Sequence, residues 1–222
     1  MILIPLRSSE RVYSTAKITA GLIALNAVIF LYQVSMPEPV LNEFVSQWGL
    51  VPDRLNVATL ITSMFLHGGW LHILGNMLFL WVFGRNVEDY IGGVRFLTLY
   101  LACGVVAAIV QVIANPFSRV PTIGASGAIA GIMGAYLIRF PRTNIHTLFF
   151  FIFLTTFDIP AAWLLLYWFA IQFISGFGSL GQTDYSGGGV AWFAHIGGFI
   201  AGMLLIRLFP DRRKWRYWYS EE

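Results

Sequence analysis

Charge is the scarcest feature of this chain. Of its 222 residues, 11% are Asp, Glu, Lys or Arg and 57% are hydrophobic, whereas a soluble domain carries about 25% charged residues. Mean hydropathy is +0.70. So little charge excludes an ordinary soluble domain and points to a polytopic membrane protein whose length suits one compact bundle. The single cysteine, Cys103, lies in an apolar run, so no intrachain disulfide is possible. Low-complexity tracts and clear internal repeats are missing. The net charge is +3, but no basic stripe occurs, which argues against nucleic acid as a partner. No pair of aspartates lies within the apolar runs, which excludes aspartyl chemistry inside a membrane. HExxH is absent, and His67 and His72 are five residues apart, a poor spacing for one helix face. No metal site is expected.

What is present is six apolar runs, at about 17–35, 64–84, 94–114, 126–140, 160–177 and 191–209. They predict an all-α polytopic membrane protein, a six-span bundle forming one domain over residues 1–222, with a long loop at 36–60 and a tail at 210–222. The first run is longer than a signal-peptide core and no small-x-small site follows it, so it reads as an uncleaved span. Lys and Arg set the orientation. An even number of spans puts twelve of them on the side of both termini, leaving only Arg54 and Arg119 on the other. Both termini are therefore expected in the cytoplasm and loop 36–60 outside, in a multi-pass protein of a prokaryotic inner membrane. Residues 144–157, NIHTLFFFIFLTTF, are apolar but too short to span. They are expected to be interfacial or half-inserted. Glu88 and Asp89 sit at the cytoplasmic end beside arginines and read as solvated ion pairs.

Three polar residues fall at one depth. Ser126 is 13 residues before Arg139, His72 is 13 before Arg85, and His195 is 12 before Arg207. At about 1.5 Å per residue each lies about 18–20 Å from its cytoplasmic arginine, or about 10 Å beneath the outer surface. Asn76 follows His72 by four residues and shares its helix face. Polar residues inside spans are costly and raise a functional hypothesis by default. The fourth span is short, about 22 Å from Ser126 to Phe140. The loop before it must dip into the membrane plane, which is tolerated only in protein or beside a wet cavity. Gly127 and Gly131 form a GxxxG on this span, and Gly198 and Gly202 form another on the sixth. Small residues let helices approach closely, here bringing Ser126 toward His195. Bland readings stand beside these: Ser126 as an N-cap, His195 as a packed histidine, and His72 and Asn76 as interhelical hydrogen-bonding glue. His67 is expected to point about 140° away from His72 if the helix extends back to it, and His146 to be structural.

With those residues in place, the chain resembles the rhomboid family of intramembrane serine proteases. GASGAIAG is similar to the family's GxSG motif, HGGWLHILGN to its second-helix histidines and asparagine, and AHIGGFIAG to its sixth-helix histidine with glycines. The resemblance covers residues 12–209. It implies a six-helix core, no cofactor, and cleavage of membrane-anchored substrates within the lipid bilayer. It further implies that Ser126 is the nucleophile and His195 the general base. His72, Asn76 and the Ser126 backbone N–H would form the oxyanion hole. Two positions depart from the pattern. Some members carry an aromatic residue four positions after the serine, where this chain has Ala130. Many have an adjacent Trp-Arg pair in the first outer loop, where here Trp48 and Arg54 are separated.

The chemistry is coherent on its own terms. A serine hydroxyl is a weak nucleophile until a base takes its proton. No Asp is placed to orient His195, so a dyad is expected. The Gly-rich stretch 176–189, GFGSLGQTDYSGGG, reads as a movable lid. The expected substrate is another protein's transmembrane helix. The rivals are a catalytically silent rhomboid-like binder of membrane helices and a small-solute transporter. Intact Ser126 and His195 argue against the first. Polar residues confined to the outer half of the bilayer argue against the second.

Overall fold

The computed structural model describes residues 2–150, 154–178 and 190–212. Helices follow the apolar runs, because a helix pairs its own backbone groups where neighbouring water is lacking. In chain order they are α1 (Lys17–Val34), α2 (Glu38–Trp48), a short helical stretch Thr59–Phe65, α3 (Trp70–Ile91), α4 (Gly93–Ala114), α5 (Ser126–Arg139), α6 (Ala161–Gly178) and α7 (Trp192–Leu205). By length and composition α1, α4 and α6 can each cross a bilayer, and α3 with Thr59–Phe65 makes a fourth candidate bent by 99°. α5 and α7 are apolar but shorter.

α5 is the axis of the bundle: every residue from Gly127 to Leu137 is buried. α7 and α4 pack along it and against each other, and α6 leans on α7. The second apolar run behaves differently from its expected 64–84 span. Gly68 and Gly69 interrupt it, since glycine is a poor helix former, and the helix proper begins at Trp70. It then continues to Ile91 through one π-helical turn, Leu80–Gly84.

An all-α architecture is incomplete. Three strands form an antiparallel sheet in the order β1 (Ile2–Ser8), β2 (Asn144–Phe150), β3 (Leu154–Pro160). The interfacial or half-inserted segment expected at 144–157 is therefore a strand hairpin whose residues 151–153 lie outside the described ones. The reason is composition. The segment is rich in Phe, Ile and Thr, which suit a pleated strand, and Ile145 and Thr147 alternate into a fully buried face. Too short to span, it satisfies its backbone by pairing with itself and with the chain's first residues. Pro5 lacks an N–H and sits on an edge strand beside the one register shift between β1 and β2. His146 Nδ1 meets Asp158 Oδ1 at 3.0 Å between paired positions of the hairpin, an exposed structural contact.

Glu88 and Asp89 are not solvated. They are 5% and 3% exposed. The Glu88 carboxylate accepts the Ile18 N–H at 2.9 Å, the Thr19 N–H at 2.7 Å and the Thr19 hydroxyl at 2.7 Å. It therefore serves the orphan donors that open α1, and its negative charge lies at the positive end of that helix. Replacing Glu88 with Ala should lower unfolding stability by about 2 kcal/mol, the scale of a lost helix cap with charged hydrogen bonds. Unfolding of the variant in a single detergent checks this. Wild-type stability would mean that the bonds contribute nothing.

Candidate active site

Ser126 is the first residue of α5, but Ala125 is the N-cap and no side chain caps that end. The hydroxyl is therefore free of the helix-capping role its position suggested. Its Oγ lies 2.7 Å from Nε2 of His195, the fourth residue of α7. Ser126 is half-buried and His195 is buried.

The glycines explain how two backbones come this close. A Cβ on Gly198 would land on the Gly127 carbonyl oxygen, and one on Gly202 would land on that of Gly131. A Cβ on Gly134 would strike the Phe199 carbonyl. α5 and α7 thus meet backbone to backbone at three points along about two turns of α5. On its other side Gly131 leaves room for Cys103 of α4. Gln111 of α4 accepts the Ala194 N–H at 3.2 Å, which ties the first turn of α7 in place beside His195.

The loop entering α5 is equally constrained. Leu50 and Thr122 exchange two backbone hydrogen bonds, and the Gly124 N–H donates to the Ser63 carbonyl at 2.9 Å. Gly124 has φ +123°, a backbone conformation side chains rarely adopt. A Cβ there would sit 2.7 Å from His72 Nε2 and 3.6 Å from Asn76 Nδ2. The first glycine of the GASG stretch therefore lets the chain pass beside both of these side chains, two residues before Ser126.

His72 and Asn76 lie one turn apart on α3, as the spacing predicted. His72 Nδ1 accepts the Gly68 N–H at 3.3 Å. Asn76 Nδ2 is 3.0 Å from Nε2 of His67. His67 does not point away from His72. It precedes the helix, and its ring centroid is 5.1 Å from that of His72. Its backbone is clamped at both ends by the Gln33 side chain of α1, Oε1 accepting the His67 N–H at 2.9 Å and Nε2 donating to the His67 carbonyl at 3.2 Å.

The structure also answers what holds His195. Nδ1 lies 2.7 Å from Oε1 of Gln172 on α6. Trp168, one turn earlier, places its ring centroid 5.7 Å from the imidazole at 38°. With Ala130 fully buried on α5, the aromatic neighbour comes from α6 instead. No motif pointed to Gln172, Gln33 or Gln111. The available signal was a lone amide within an apolar run, which the cost of burying polar groups marks for attention. Of the expected lid, residues 176–178 end α6 and 179–189 lie outside the described ones. Among the described residues no cluster of three metal-ligating side chains occurs.

A family model described as Rhomboid domain matches residues 54–212. RHOMBOID-like protein 7 of Arabidopsis thaliana is 31% identical over 158 residues, covering 71% of this chain and 44% of that protein. Rhomboid protease GluP of Bacillus subtilis is 44% identical over 78 residues, covering 35% and 15%. Rhomboid protein 1, mitochondrial, of Saccharomyces cerevisiae is 27% identical over 192 residues, covering 83% and 51%. The chain thus spans about half or less of the length of these relatives. They come from bacterial and eukaryotic sources alike.

The α5–α7 contact sets the Ser126–His195 distance. A methyl group at Gly198 meets backbone rather than a movable side chain, so Gly198→Ala must push the helices apart. The expected result is a stability loss of about 1–3 kcal/mol and slower reaction of Ser126 with a fluorophosphonate probe. Unchanged labelling and stability would show that the helices tolerate the wider spacing.

Proposed function

Because this chain belongs to the rhomboid family of integral membrane proteins, we propose that it is a serine-type intramembrane endopeptidase. It cleaves peptide bonds in or near transmembrane segments of other membrane proteins. The observation that carries this reading is the 2.7 Å contact between Ser126 Oγ and His195 Nε2. Three glycine-mediated backbone contacts between α5 and α7 hold it in an apolar interior. We further read the chain as a six-span bundle with α5 and α7 as its two short spans. The charge asymmetry supports a topology with both termini in the cytoplasm.

The chemistry follows from the atoms present. His195 Nε2 takes the Ser126 hydroxyl proton as Oγ attacks the scissile carbonyl carbon. The C–O bond forms, and the carbonyl π electrons move onto oxygen. In this reading the Ser126 backbone N–H, Asn76 and His72 are the donors to that oxygen, and the missing side chain at Gly124 leaves room beside the last two. Collapse of the tetrahedral species breaks the C–N bond, and His195 returns the proton to the leaving amine. Water then attacks the acyl-serine ester with the same base, releasing the acid and restoring Ser126. Preorganised donors in a site shielded from water act strongly on developing charge.

Ser126→Ala should abolish cleavage of a transmembrane model substrate while leaving the protein folded. Undiminished cleavage by the purified variant would refute the assignment, and no cleavage by the wild-type protein would favour the silent binder. Asn76→Ala should lower kcat by about 10²–10³, or about 3 kcal/mol, with KM nearly unchanged. As interhelical glue it would instead cost about 0.6 kcal/mol of stability with normal turnover. A reporter fused after Glu222 should read cytoplasmic; activity only on the outer side would overturn the six-span topology.

A further inference from the structure

We infer that Gln172 is the positioning residue of the proposed base, holding His195 in the one tautomer that can accept the serine proton; this rests on the Ser126–His195 reading. An imidazole can act as a base at Nε2 only when its single proton is on Nδ1. Something must make that state the favoured one. Oε1 of Gln172 lies 2.7 Å from Nδ1, a good acceptor distance for an N–H donor. Gln172 is itself 6% exposed, so its amide has little water to compete with the imidazole.

The choice of an amide has a physical reason. In soluble serine hydrolases a buried carboxylate fills this role. Inside a bilayer an ionised carboxylate is expensive to keep desolvated. A glutamine offers a carbonyl oxygen in the same place without a full charge. It stabilises the imidazolium less, but it still selects the tautomer and aims the ring. Trp168 precedes Gln172 by one helical turn and shares its face. The indole lies against the imidazole at 5.7 Å, and against Phe199 at 6.0 Å. One face of α6 thus supplies both a hydrogen-bond acceptor and a flat wall for His195. The amide also has a non-productive state. If it were turned by 180°, its NH₂ would face Nδ1, the imidazole proton would sit on Nε2, and Ser126 would have no base.

The test has two parts. The wild-type protein, labelled with ¹⁵N only at its four histidines, is examined by NMR in detergent. The His195 signals are assigned by their loss in His195→Ala. The expected result is a neutral His195 protonated at Nδ1; protonation at Nε2 overturns the proposal without any variant at position 172. In parallel, rates of fluorophosphonate labelling are compared for wild type, Gln172→Leu and Gln172→Glu. Leucine keeps the bulk and removes the acceptor. It should slow labelling by several-fold to about tenfold, the scale of one neutral hydrogen bond, and move the His195 proton toward Nε2. Glutamate presents only oxygens to Nδ1 and should restore labelling to within a few-fold of wild type. In peptide cleavage the leucine variant should lose kcat with KM nearly unchanged. Wild-type labelling and tautomer in Gln172→Leu would overturn the proposal and leave the dyad intact. A wild-type protein that the probe does not label at Ser126 would instead reject the dyad itself.

Discussion

The rest of the structure depends on the close approach of α5 and α7. Their glycines meet carbonyl oxygens of the facing backbone, with no side chain between. Lipid tails are as apolar as leucine, so helices in a bilayer gain little from merely hiding apolar surface, and tight packing must bind them instead. This contact also decides chemistry. A hydroxyl at the start of one helix reaches an imidazole in the opening residues of the other only because the two axes can nearly touch. Cys103 and Ala107 of α4 fit against the same glycines from the other side, so three helices share one constraint.

A second constraint is the accounting of polar groups in an apolar interior. Four buried polar side chains are each tied to an element other than their own. Gln33 of α1 clamps the His67 backbone, Gln111 of α4 holds the start of α7, and Gln172 of α6 meets His195. Glu88 of α3 serves the start of α1. An unpaired group here would cost far more than one facing solvent. The same bonds that satisfy these groups fix the relative placement of the helices, so the polar residues act as registration points in an otherwise greasy bundle.

The sheet shows how a segment too short to span resolves the same problem. β2 and β3 pair with each other, and β1 adds the chain's first residues to their edge. Because β3 leads directly into α6 at Ala161, the sheet anchors the helix that carries Trp168 and Gln172.

The sequence by itself determined the membrane class, the positions of five of the six apolar helices to within a few residues, and which polar residues share one depth. Long apolar runs have one economical local structure, and the spacing of Ser126, His72 and His195 from their arginines is simple helix arithmetic. It also marked Gly127, Gly131, Gly198 and Gly202, since small residues at four-residue spacing line one helix face. Tertiary structure decided the rest. Whether Ser126 caps its helix or turns to His195 depends on where α7 lies. The partner of Asn76 depends on the chain bending at Gly68 and Gly69 so that His67 turns back. The pairing of strand 2–8 with strand 144–150 spans more than a hundred residues, which no local pattern encodes. Gln172 and Glu88 are visible as letters in the chain, but a hydrogen-bonding group has no assigned role until a neighbouring element brings its partner within about 3 Å.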